Sequence, residues 1–174
     1  MNHSKRVIAL GFFDGVHRGH GALLRTVTSA AKKLDATPAA FTFDRHPASV
    51  ITGHAVPLLS SIEDRSWLMR RHYGIEEVIV ASFDAMQKMD WRDFVSQYLV
   101  KELSCVHVVA GHDFHFGYMG KGNPTRLSTL CAELGIGCDI IKKVERDGIT
   151  ISSTLHPQSI NMQKSVCYSH WTFL

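Results

Sequence analysis

Val7-Ile8-Ala9-Leu10-Gly11-Phe12-Phe13-Asp14-Gly15-Val16-His17-Arg18-Gly19-His20 is the stretch from which the architecture of this chain is read. Four consecutive apolar residues, Val7 to Leu10, describe a strand buried on both faces, as in a parallel sheet covered by helices. Leu23, Leu24, Val27 and Ala31 recur at helical spacing and predict a helix over about 19–33. Between strand and helix, Gly11, Gly15 and Gly19 let the backbone turn sharply and come close to a ligand. The turn delivers His17 and His20 to the start of the helix. Unpaired N–H donors and the positive end of the helix dipole make that point suitable for phosphate. Two imidazoles beside such a site point to chemistry on a nucleoside triphosphate.

Outward from this unit, strands and helices alternate. Further strands are read at 38–43, 77–81, 106–110, 140–141 and 149–151. A capping box, Ser60-x-x-Glu63, opens a helix that runs to about His72. Asp90 caps a helix carrying Trp91, Phe94, Tyr98 and Leu103, and Pro124 starts another that ends near Gly135. Residues 44–59, with Pro47, Gly53 and Pro57, read as one long loop. The alternation predicts an α/β, doubly wound, Rossmann-like parallel sheet with right-handed crossovers. Ligands bind such sheets beyond the carboxyl ends of the strands. The segments at Gly11, Asp44, Gly111 and Ser152 each follow a predicted strand and so share that rim.

Composition narrows the function classes. The 174 residues are one domain's worth, and 45% hydrophobic with 20% charged residues is ordinary for a soluble globular protein. A net charge of +3 is too mild to argue for nucleic acid. No apolar run reaches membrane-spanning length, and the polar start leads into a strand rather than a signal peptide, so a cytoplasmic protein is expected. Cys105, Cys131, Cys138 and Cys167 lack C-x-x-C spacing and are expected as reduced, mostly buried thiols without zinc or disulfides.

Gly11-Phe12-Phe13-Asp14-Gly15-Val16-His17-Arg18-Gly19-His20 resembles the H-x-G-H signature of nucleotidylyltransferases. In its longer form it is similar to the N-terminal FMN adenylyltransferase domain of the bacterial riboflavin kinase/FAD synthetase family. Three later segments resemble that family's elements in order: Thr42-Phe43-Asp44-Arg45-His46-Pro47, Gly111-His112-Asp113-Phe114-His115-Phe116-Gly117 and Ile151-Ser152-Ser153-Thr154. The resemblance covers nearly the whole chain, with residues 1–154 as the adenylyltransferase domain and 155–174 as a divergent tail.

The resemblance implies a nucleotidylyltransferase-type sheet that passes AMP from ATP to FMN, giving FAD and pyrophosphate. Mg²⁺ would bridge ATP phosphate oxygens, with no metal site of the protein's own. His17 and His20 would be catalytic, donating hydrogen bonds to the phosphates. Gly11, Phe12, Asp14, Gly19, Ser152, Ser153 and Thr154 would complete the ATP site. Asp44, His46, Pro47, Asp113, Phe114, Phe116 and Gly117 would receive the flavin.

The residues themselves leave several roles open. Asp14 either orients a ligand hydroxyl or Mg²⁺, or caps the local turn. Phe114 and Phe116, two apart, face one side of an extended segment and either stack on a ring system or seal the core. Ser152 to Thr154 serve phosphates or cap a helix. Lys121 lies in a loop expected to be mobile and closes on phosphate or stays solvated.

Two departures stand out. His112 and His115 occupy positions where relatives often carry an acidic and a basic residue. After Thr154 the family pattern continues x-I-R, whereas this chain reads Leu155-His156-Pro157-Gln158, with no arginine after Arg146. A changed reading frame or truncation is the expected origin of residues 155–174, and the riboflavin kinase domain that follows in the family is not among these residues. Two other functions compete: a flavin- and ATP-binding module without turnover, and an H-x-G-H nucleotidylyltransferase with a different acceptor.

Overall fold

A computed structural model describes residues 4–142, 145–146 and 149–150. Five parallel strands form its sheet: β1 (Arg6–Leu10), β2 (Thr37–Phe43), β3 (Glu77–Ala81), β4 (Cys105–Gly111) and β5 (Gly137–Ile141). Their order is β3-β2-β1-β4-β5. The chain winds one way from β1 to β3, then crosses back to lay β4 on the other side of β1. Leu10 pairs with both Phe41 and Ala110, so the first turn lies at this reversal, where doubly wound sheets bind ligands.

The apolar run of β1 is explained by burial on both faces. Ile8 and Leu10 pack into one core with Phe41, Val108, Ala110, Phe94, Leu99 and Leu127. Val7 and Ala9 face the other, with Ala40, Val109, Leu24, Val27 and Met69. The first core is covered by α5 (Trp91–Asp93), its π-helical continuation Phe94–Glu102, and α6 (Pro124–Glu133). The second is covered by α1 (Arg18–Leu34) and α3 (Ile62–Tyr73). Each fully buried Leu, Ile or Phe contributes about 1.5–3 kcal/mol, so this two-sided burial is the main adhesive of the fold.

Three expectations are corrected. Residues 44–59 are not a continuous loop, because Pro47–Thr52 forms a short helix, α2. Pro47 stands in its first turn, His46 Nδ1 accepts from the Ala48 N–H at 3.1 Å, and Gly53 closes it with φ 70°. The cap of α3 is Ser61, whose hydroxyl accepts from Asp64 N–H at 3.0 Å, not Ser60. Ser60 is taken by a different partner, described below. Finally, β7 (Ile149–Thr150) pairs antiparallel with β6 (Glu145–Arg146) and does not join the main sheet. The short helix α4 (Phe83–Met86) completes the described elements.

Cys105, Cys131 and Cys138 are free thiols, the first two buried. No helix among the described residues is long and apolar enough to cross a membrane.

Leu24 is fully buried at the centre of the α1 face. Leu24→Ala is expected to lower stability by roughly 2–5 kcal/mol. Chemical denaturation would show this as a lower midpoint at unchanged slope.

Candidate functional site

The turn after β1 is built on unusual backbone. Phe13, Gly15 and Val16 have φ of 57°, 66° and 40°, all in the left-handed region, around a single 3₁₀ turn at Asp14–Val16. Gly15 is the glycine that this region favours. Gly11 answers a different need, since a Cβ there would sit 3.0 Å from the ring of Phe13, which is wholly buried beneath it. Gly19 lies within α1.

His17 ends the turn in extended conformation and caps α1, its Nδ1 accepting from the Gly19 N–H at 3.2 Å. A neutral imidazole that accepts at Nδ1 carries its proton on Nε2. His17 therefore presents an N–H donor on its far side. His20 stacks on it with ring centroids 3.7 Å apart and planes 23° from parallel. The edge of Phe13 meets His20 at 5.2 Å, and His20 Nδ1 is buried without a hydrogen-bond partner among the described residues. Burial pushes the pKa of His17 below 6.5, opposed by the negative charges of Asp113 and Asp14. Burial pushes His20 lower still, and His17 beside it adds to the effect. Both rings are thus neutral donors at pH 7 rather than cations.

Asp14 takes the structural alternative in this conformation. It is buried; its Oδ1 accepts from Leu59 N–H at 3.0 Å, from Ser60 N–H at 2.9 Å and from the Ser60 hydroxyl at 3.0 Å. Ser60 Oγ in turn accepts from the Gly15 N–H at 2.9 Å. The carboxylate stitches the turn to the segment entering α3.

Two residues given no role in the sequence analysis complete this stitching. Arg65 on α3 is fully buried and donates from Nη1 to the Phe12 carbonyl at 3.1 Å and from Nη2 to the Phe43 carbonyl at 2.6 Å. Its guanidinium also lies over the Phe12 ring, 4.5 Å from the centroid. Burial lowers its pKa, against the pull of Asp14 and Glu63, and a guanidinium stays charged regardless. Thr42, fully buried at the end of β2, donates its hydroxyl to the same Phe12 carbonyl at 2.8 Å. Thr42 had a signal, being the one hydroxyl inside an otherwise apolar strand interior. Arg65 had none, because Glu63-Asp64-Arg65 reads as an ordinary solvated first turn.

The residues expected at the flavin are divided by the structure. His46 lies edge-on to Phe12 at 4.8 Å, and Pro47 follows it in α2, so this corner adjoins the first turn. Asp44 accepts the Phe83 N–H at 2.9 Å, a local structural bond. Asp113 is near enough to His17 to act on its charge. Phe114 and Phe116 do share a side, with centroids 5.6 Å apart and planes 18° from parallel. Phe116, however, is buried against Phe94 at 5.4 Å and belongs to the core, so of the two only half-buried Phe114 borders the rim. Gly117, with φ 72°, lies on the start of α5, where a Cβ would come within 2.6 Å of Trp91 Cα. Tyr118 N–H donates to Met89 O at 2.7 Å, which ties the start of this exposed loop to the segment before α5. Lys121 is exposed, its ammonium 6.0 Å from the centroid of the Tyr118 ring. Ser152, Ser153 and Thr154 lie outside the described residues, as does the tail over 155–174.

The FAD synthetase family model matches residues 1–155. The bifunctional riboflavin kinase/FMN adenylyltransferase of Bacillus subtilis is 33% identical over 87% of this chain and 48% of its own length. That of Listeria monocytogenes is 36% identical over 86% of this chain and 48% of its own. A second Listeria monocytogenes protein, a FAD synthetase, is 31% identical over 85% of this chain and 60% of its own. The chain spans about half the length of the bifunctional relatives it matches, 48% in both cases. Among solved structures, a macrolide-efflux protein from Streptococcus pneumoniae superposes with a TM-score of 0.76 at 26% identity, over 92% of this chain and 52% of that one.

The depressed histidine pKa values fix a pH dependence of stability. Below about 6.5 the unfolded chain takes up protons that the folded rings resist, so this contribution is complete above 6.5 and declines as the pH falls toward the folded-state values. The melting temperature is expected to fall between about pH 7.5 and pH 5. In the double variant His17→Gln/His20→Gln the fall should be shallower. Parallel curves for the two proteins would show that these rings are not its source.

Proposed function

Since the chain belongs to the FAD synthetase family, we propose that it transfers AMP from ATP to FMN, yielding FAD and pyrophosphate. The observation that carries the reading is the stacked, neutral His17–His20 pair at the start of α1, located at the reversal of strand order between β1 and β4. In the reaction a phosphate oxygen of FMN bonds to the α-phosphorus of ATP while the bond to the pyrophosphate oxygen breaks. Little covalent work falls to the protein, and rate comes from alignment and from donors aimed at the developing charge.

His17 Nε2–H is the available donor on the capping ring, and stacking on His20 fixes its plane. The main chain of Gly11 to Asp14 and the open end of α1 receive the phosphates. Of the residues expected at ATP, Ser152, Ser153 and Thr154 enter as a proposal from the family pattern alone. The corner at His46 and Pro47, together with Asp113 and Phe114, receives the flavin. Among the described residues no group of three His, Cys, Asp or Glu could hold a metal. Mg²⁺ in this reading arrives on the triphosphate, where it would neutralise charge. A cytoplasmic location is part of the same proposal.

The test is incubation of the purified chain with FMN, ATP and Mg²⁺, following FAD by chromatography. FAD is the expected product. Binding of FMN and ATP without product would instead support a binding module, the alternative raised by Leu155-His156-Pro157 standing where the family pattern has x-I-R. In an active protein, His17→Ala and His20→Ala are each expected to lower turnover by roughly 10²–10³. FMN affinity, read by flavin fluorescence, should stay within about threefold, since neither ring is needed to hold the flavin.

A further inference from the structure

The carbonyl of Phe12 receives two buried donors, Arg65 Nη1 at 3.1 Å and Thr42 Oγ1 at 2.8 Å. Both come from beneath the rim, Arg65 from α3 and Thr42 from the end of β2, and both side chains are wholly inaccessible. The Phe12–Phe13 peptide is trans, since no cis bond occurs among the described residues. In a trans, planar unit the C=O and N–H point in opposite directions. A carbonyl pinned downward therefore turns the Phe13 N–H away from Arg65 and Thr42. The next residue confirms that the choice is imposed rather than relaxed, because Phe13 is a bulky residue at φ 57°.

We propose that Arg65 is a positioning residue for nucleotide binding: by holding the Phe12–Phe13 peptide it fixes the strained turn that brings His17 to the triphosphate. The inference rests on the reading of this turn as the ATP site. Arg65 does not meet the phosphates itself, being buried and committed to the two carbonyls. Its second bond, to Phe43 O at 2.6 Å, fixes the end of β2 relative to the turn and so sets the separation between Phe12 and the His46 corner. Released from Arg65, the peptide can rotate, and the turn would lose the conformation that sets His17 at the start of α1.

The experiment measures the ATP dependence of FAD formation in the whole chain and in three variants. Arg65→Met removes both donors; Arg65→Lys keeps charge but reaches one carbonyl; Thr42→Val removes the other donor to Phe12 at nearly constant volume. The KM for ATP is expected to rise about tenfold in Arg65→Met, and by about threefold in Arg65→Lys and in Thr42→Val. A residue that served stability alone would reduce the amount of active protein and leave KM unmoved. If Arg65→Met does not fold, the two milder variants decide. A KM for ATP within about twofold of wild type in both would overturn the inference while leaving the proposed function intact. For a chain that binds ATP without turnover, calorimetric Kd replaces KM with the same expectations. A wild-type chain that neither forms FAD nor binds ATP would remove the site reading, and this inference with it.

Discussion

A six-residue turn that must carry three left-handed residues cannot hold itself together. Phe13 and Val16 each sit where a side chain crowds the backbone, a cost on the order of 1–2 kcal/mol apiece. Strain of this kind survives only where surrounding contacts over-determine the conformation. Apart from the Thr42 hydroxyl on the Phe12 carbonyl, those contacts come from a single neighbouring segment. Asp14 gathers the amides of Leu59 and Ser60, Ser60 returns a bond to Gly15, and Arg65, one turn further on, seizes Phe12. The turn and the opening of α3 are therefore one unit, although 45 to 53 residues separate the paired groups.

This dependence explains what could be read from the sequence and what could not. The sheet was legible because burial on both faces forces consecutive apolar residues, and Val7 to Leu10 has no other use for them. The helix starts were nearly legible: Asp90 and Pro124 fall where expected, and α3 begins one residue later than its capping box implied. That slip has a physical origin. Ser60 and Ser61 are both able to cap, and only the folded position of Asp14 shows that Ser60 is already engaged. Local patterns name candidates, while tertiary partners choose among them.

The same distinction governs the site. His17 and His20 announce themselves by spacing, and Phe114 with Phe116 by alternation. Yet alternation shows only that two rings share a side, not which of them the core will claim. Phe94 decides that, and it comes from an element 20 residues earlier than Phe114. Arg65 is the opposite case, a buried charge inside a run of charged residues that looks solvated. The partners it serves are backbone carbonyls, and carbonyls leave no trace in a sequence.

The electrostatics of the rim follow from these commitments. A tetra-anionic ligand would ordinarily be met by cations, but the two histidines are neutral and Arg65 is spent on Phe12 and Phe43. In the proposed reading, the start of α1 would face the anion instead. Its first turn carries no acidic residue, whereas α3 has Glu63 and Asp64 there, and its last turn bears Lys32 and Lys33. The partial positive charge at its start is thus left uncompensated, at the one place in the sheet where strand order reverses. Neutral imidazoles suit that setting. They donate without the desolvation cost that a buried cation would incur before the ligand arrives, and a bound triphosphate would draw their pKa values upward. Affinity in the proposed reading would depend on where the donors point, and so on the anchorage of the turn to α3.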